Sequence, residues 1–92
     1  MKVEQFRNKN GDPVKNQFII RTEDGVYFQS YNSIIAFCDK KGKITLDAGK
    51  WDYSTTTGKY RNQFLSETKA ETEKKIKAGV YTLADLNERG IK

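Results

Sequence analysis

"QFIIRTEDGVYFQS", residues 17–30, decides the fold. Two runs rich in Phe, Ile, Val and Tyr flank Asp24-Gly25, and glycine supplies the positive φ that a tight hairpin turn requires. The pattern continues on both sides. Downstream, "YNSIIAFCDK" reads as a further strand, "DKKGK" as a turn around Gly42 and "ITL" as a short strand, with "DAGK" a third turn before "WDY". Upstream, "KVEQF" reads as a strand and "NKNGDP" as a loop holding the only proline. Four to six short strands joined by tight turns predict a small antiparallel β-sheet over residues 2–53.

The second half changes period. Ser54 is a suitable N-cap for a helix over 54–65, in which Tyr60 and Phe64 share a face. Thr68-x-x-Glu71 forms a capping box for a second helix over 68–78, and Gly79 is its natural stop. Glu71–Lys75 and Glu73–Lys77 have the spacing of helix-surface ion pairs. Residues 80–92 read as a short strand or turn with a frayed tail. The expected fold is therefore α+β, with two helices packed on one sheet and no composition break to divide residues 1–92 into two domains. The expected core is Phe18, Ile20, Val26, Phe28, Ile34, Ala36, Phe37, Ile44, Leu46, Phe64, Leu65 and Ile76. Ile19 and Ile35 violate strict alternation, which implies a sheet covered on both faces or an apolar patch that awaits a partner.

Composition bounds the chemistry. The net charge is +5, with nine basic and six acidic residues in 1–50 and eight and six in 51–92. So even a spread suits solubility and is compatible with nucleic acid or an acidic protein surface. There is no histidine, so the commonest general base and metal ligand are missing. Cys38, the only cysteine, lies in the apolar run "SIIAFC" and reads as a small buried hydrophobe with no histidine to activate it. No disulfide within the chain can form, which fits a reducing cytoplasm. "DKKGK" lacks the first glycine and the Ser/Thr of a P-loop, and Glu23-Asp24 falls in a hairpin turn where carboxylates are solvated. No catalytic residue, metal or cofactor is expected, and no apolar run is long enough to span a membrane.

The richest polar stretch is "WDYSTTTGKYRNQFL", residues 51–65. A helix start offers unpaired N–H groups and partial positive charge. Ser54, Thr55, Thr56 and Thr57 would add hydroxyls there, with Lys59 and Arg61, both expected exposed, adding charge one turn on. Together they could hold a backbone phosphate. The plainer reading is that Ser54 caps the helix and the rest is solvated. Gly58 costs helix stability by about 1 kcal/mol relative to alanine and points to close approach of something to the backbone. Tyr27, Tyr31, Trp51, Tyr53 and Tyr60, interleaved with Lys50 and Arg61, could stack on bases, although aromatic packing is the plainer reading. Of "GVYFQSY", Tyr27 should point away from Val26 and Phe28.

Asn32, Ser33, Ile34 and Ala36, followed by Tyr53, Ser54, Thr56, Thr57, Lys59, Arg61, Phe64 and Leu65, resemble the shared positions of a family of small bacteriophage and prophage proteins. The likeness covers roughly residues 26–86 and carries no activity with it. It implies a cytoplasmic protein made during infection. Such proteins often inhibit host enzymes or defence systems, or bind DNA. The expected function is non-enzymatic binding, with a host protein or ribonucleoprotein complex as partner, as in an anti-CRISPR-like inhibitor. The alternative is a small basic module that binds DNA or RNA through Ser54–Arg61. No membrane partner is expected, and a homodimer is a further option.

Overall fold

The structure, a computed structural model, describes residues 1–87. It has six strands and two helices: β1 (Lys2–Arg7), β2 (Pro13–Thr22), β3 (Gly25–Ser30), β4 (Ser33–Asp39), β5 (Ile44–Asp47), α1 (Thr55–Leu65), α2 (Lys69–Lys77) and β6 (Thr82–Ala84). The strands lie in sequence order in one sheet, β1 to β6. The first five are antiparallel neighbours, as short turns dictate. β6 falls in the stretch expected as a short strand or turn; it returns through the two helices and adds parallel to β5. Residues 48–53 are turns rather than strand. The tail expected to fray lies, from residue 88, outside the described residues.

Register divides the side chains between two faces. Glu4, Ile19, Phe28, Ala36 and Leu46 stand opposite one another across β1–β5. On this face Phe28, Ala36 and Leu46 are fully buried and join Phe6, Ile35 and Tyr81 in the main core. Tyr60, Phe64, Leu65 and Ile76 from both helices pack on it, with Phe28–Phe64 rings stacked at 5.6 Å and Phe6–Tyr60 edge-on at 5.6 Å. The other face carries Val3, Ile20, Tyr27, Phe37 and Thr45 in one row, with Phe18 in the next. This corrects the expected core in part: Phe18 and Phe37 turn away from the helices and are half-buried, Ile20 is buried as expected but on that far face, and Ile19, Phe6 and Tyr81 join the core under the helices. The exception at Ile35 has a local cause. A bulge between Phe28 and Gln29 lets Ala36 pair with Phe28 and Ile34 with Gln29, so both Ile35 and Ala36 reach the helix side.

Gly25 closes the hairpin at φ +148, and a Cβ there would sit 2.2 Å from the Cys38 carbonyl oxygen. Only glycine allows β3 to come that close to β4. The edge of β4 beyond β5 is closed by Asn87, whose amide accepts from Ile34 N–H at 2.7 Å and donates to its carbonyl at 3.0 Å. Asp47 is buried and accepts from the backbone of Gly49 and Leu86, tying the β5 turn to the chain that follows β6.

Candidate functional site at the start of the first helix

Ser54 is the N-cap of α1: its hydroxyl accepts from Thr57 N–H at 3.1 Å. Thr68 and Glu71 form the expected capping box of α2, and Gly79 follows its end with positive φ. The surface pairs expected on α2 do not form. Glu71 reaches back to the backbone and hydroxyl of Thr68, and Lys75 goes to Glu67 at 2.7 Å.

Two of the polar residues expected at the site are interior. Thr57 is fully buried, and its hydroxyl shares a 2.8 Å hydrogen bond with Ser30 of β3, fastening the first turn of α1 to the sheet. Arg61, expected exposed, is 1% accessible. Its guanidinium donates to the Trp51 carbonyl at 2.7 Å, to Asp52 Oδ1 at 3.1 Å and to Asn62 Oδ1 at 2.8 Å. It also lies over the Trp51 ring, 5.1 Å from its centroid. Sequence alone places Arg61 outward because an isolated helix offers it only solvent. The 51–52 turn folds back over α1 and supplies a carbonyl, a carboxylate and an indole face, a set that suits a planar guanidinium. Gly58 belongs to the same arrangement. It is buried, and a Cβ would touch both terminal nitrogens of Arg61 at 3.6 Å. What approaches this backbone is the chain's own arginine.

The remaining residues are arranged around this latch. Asp52 also pairs with Lys69 of α2 at 2.7 Å. Burial pushes its carboxyl upward, but the hydrogen bonds and charges of Lys69 and Arg61 outweigh that and hold it below the usual carboxylate range. Ser54, Thr55, Lys59 and Arg61 line one shallow depression of about 600 Å³, with Asp52 and Lys69 among its other walls. Thr55, Thr56 and Lys59 are exposed, with Lys59 lying 5.3 Å above the Tyr60 ring. Lys50 sits outside this depression over Tyr53, at 5.2 Å. Tyr31 is elsewhere, in the β3–β4 turn at φ 55, where its N–H donates to the Asn16 carbonyl at 2.7 Å. Tyr27 is on the far face of the sheet, as alternation predicts, with its ring 4.3 Å from that of Phe37. Burial, then the Asp24 charge, pushes its phenol upward. The structure thus gathers Ser54, Thr55, Lys59 and Arg61 around one depression and separates Tyr27 and Tyr31 from them.

A second polar centre is not legible in the sequence. The Glu67 side chain, 4% accessible, accepts from Thr72 Oγ1 at 2.6 Å, Lys75 Nζ at 2.7 Å and Tyr81 Oη at 2.9 Å. Burial alone would raise its pKa, yet these three donors outweigh it and hold the carboxyl low. It ties α2 to the segment that leads into β6. The only hint of it in the sequence is a carboxylate just before a cap, and that reads equally as a helix-dipole partner. Among the described residues no group of three or more Cys, Asp or Glu is placed to hold a metal ion. No helix among them is long and apolar enough to cross a membrane.

Over residues 1–79 the chain matches the family of unknown function DUF8033, and it belongs to that family. No curated protein and no solved structure matches it.

Proposed function

We propose that the chain acts by binding, without chemistry of its own, as a phage-type accessory protein that occupies a protein surface of a host defence complex such as a CRISPR effector. One observation carries the preference for a protein partner. The helices pack on one side of the sheet and leave the other to Val3, which is 56% exposed, and to the half-buried rings of Phe18, Tyr27 and Phe37, with Ile20 buried among them. An aromatic and aliphatic face of this kind supplies the anchors on which protein interfaces depend. The phosphate reading keeps Thr55, Thr56 and Lys59. It loses Thr57 and Arg61, which are occupied inside the fold, and Lys69 is already paired with Asp52.

The test is plaque formation by a targeted phage on cells that carry a defence system and express this chain. The wild type should restore plaquing, and Tyr27→Lys with Phe37→Lys should abolish the effect while circular dichroism and melting show a folded protein. Failure of the wild type across CRISPR-type effectors overturns the proposal. A salt-sensitive gel shift that disappears in Lys59→Ala, with restoration intact in the sheet-face variant, transfers the function to nucleic acid.

A further inference from the structure

The sheet ends in two edges of different character. Strands β1 to β6 lie in sequence order, so β1 and β6 are the outer strands, and among the described residues no strand pairs with the outer side of either. β6 is three residues long, Thr82–Ala84, and so short an edge gives an arriving strand little to pair with. β1 runs over six residues, Lys2–Arg7. A register shift between Gln5 and Arg7 breaks its regular pairing with β2, and Lys2–Gln5 stays regular. The outer side of that regular part is a row of N–H and C=O groups with no strand beside them, the template for strand addition.

The side chains on this edge decide what it accepts. A lysine alone would blunt the edge, because it repels the lysine of an arriving copy. Here Lys2 comes with Glu4, two residues on and therefore on the same face, the helix side of the sheet. Their side chains are 73% and 36% accessible and 3.3 Å apart, and Arg21 of β2 shares Glu4 at 3.5 Å. Exposed pairs of this kind are weak, so exchanging a partner costs little. Between them Val3 points to the far face and is 56% exposed. The edge thus carries a cation and a carboxylate on one face and an aliphatic side chain on the other.

We infer that two copies of the chain join edge to edge through β1, antiparallel, with Val3 of one opposite Val3 of the other, so that their sheets become one. Two-fold symmetry about an axis normal to the sheet keeps like faces together, so each residue lies opposite one of its own face. Centred on Val3, this register sets Lys2 opposite the second copy's Glu4 and Glu4 opposite its Lys2. Two cross-strand ion pairs then flank an aliphatic pair. Centred on Lys2 or on Glu4, it sets like charges opposite one another, which is destabilising. Centred further along, it meets the register shift between Gln5 and Arg7. One register therefore satisfies the charges that the edge carries. The joint leaves the apolar far face uncovered and does not depend on the partner proposed for that face.

The test is sedimentation equilibrium at concentrations up to about 1 mM. One strand pair is smaller than a standard interface of roughly 1,200–2,000 Å², so the wild type should dimerise with a Kd of about 10–500 μM. Lys2→Glu and Glu4→Lys, each alone, set like charges opposite at both symmetric positions and should weaken association at least about tenfold. Combining the two exchanges the charges, keeps the net charge at +5 and should restore the Kd to within about threefold of wild type. An equimolar mixture of the two single variants should form a heterodimer, because each supplies the charge that the other lacks. Both positions lie at the solvent-facing edge, and circular dichroism should show the same fold throughout. In the wild type, amide shifts that change with concentration should map to Lys2–Gln5. A wild type that stays monomeric at about 1 mM overturns the proposal and leaves the edge to a strand of another protein. So do a double variant that associates no better than the singles, singles that fail to associate on mixing, or shifts that map instead to Tyr27 and Phe37 or to Thr82–Ala84.

Discussion

Replacing Arg61 with alanine tests the account of the helix start more directly than any other change. The side chain is buried and donates three hydrogen bonds, one of them to a carboxylate. Severing a buried ion pair typically costs roughly 3–5 kcal/mol because one ion is stranded. Asp52 would not be stranded, since its side chain is 30% accessible and keeps Lys69. The buried Arg61 Nε has no partner, which lowers the value of the native arrangement further. Against this, the Trp51 carbonyl loses its donor and a void opens beneath the indole. The balance is a loss of about 3 kcal/mol, against a total of roughly 5–15 kcal/mol for a domain of ordinary stability. The melting temperature should fall by roughly 12–24 °C, at about 4–8 °C per kcal/mol for a chain of this length. Urea denaturation followed by fluorescence is the assay, because Trp51 is the sole tryptophan and lies against the guanidinium. Lys59→Ala, two residues away and exposed, should stay within about 0.5 kcal/mol of wild type. Equal, small effects of the two substitutions would refute the latch and return Arg61 to the surface.

The same packing sets four further outcomes. Thr57→Val should cost about 1–2 kcal/mol by leaving the buried Ser30 hydroxyl without its partner, and a double-mutant cycle with Ser30→Ala should show coupling above about 0.5 kcal/mol. Glu67 has a folded pKa below its unfolded value near 4.3, so its contribution is fully present above that pH and is lost as the pH falls through the folded pKa; melting in Glu67→Gln should be weaker at neutral pH and less steeply acid-sensitive than in wild type. Gly25→Ala should destabilise by more than about 2 kcal/mol, since its Cβ has no room beside the Cys38 carbonyl and its φ is +148, and a melting curve within about 2 °C of wild type would contradict that contact. Gln17 is fully buried with neither amide atom partnered, so Gln17→Met should raise stability by about 1 kcal/mol in chemical denaturation.

Local chemistry makes much of this protein legible in its sequence. The Asp24-Gly25 hairpin, the turn at Gly42, the Ser54 cap and the Thr68–Glu71 box depend on residues within a few positions of each other, and all are present. Their energies are short-ranged, so the sequence states them directly. The facing of the sheet is not legible in this way. With Phe18, Ile19 and Ile20 in a row, alternation offers two phases of similar hydrophobicity. The choice falls to whichever phase α1 can cover, which is Ile19 with Phe28. The parallel return of β6 depends on two helices of the right length lying between it and β5. Most of all, the sequence shows "STTTGKYR" as hydroxyls and cations at a helix start, and it cannot show what folds back upon them. The Trp51–Asp52 turn and Ser30 of a distant strand convert Arg61 and Thr57 from candidate ligand contacts into interior fasteners. A polar side chain's role is set by the partners that tertiary packing places within about 3 Å of it, and those partners are not its neighbours in sequence.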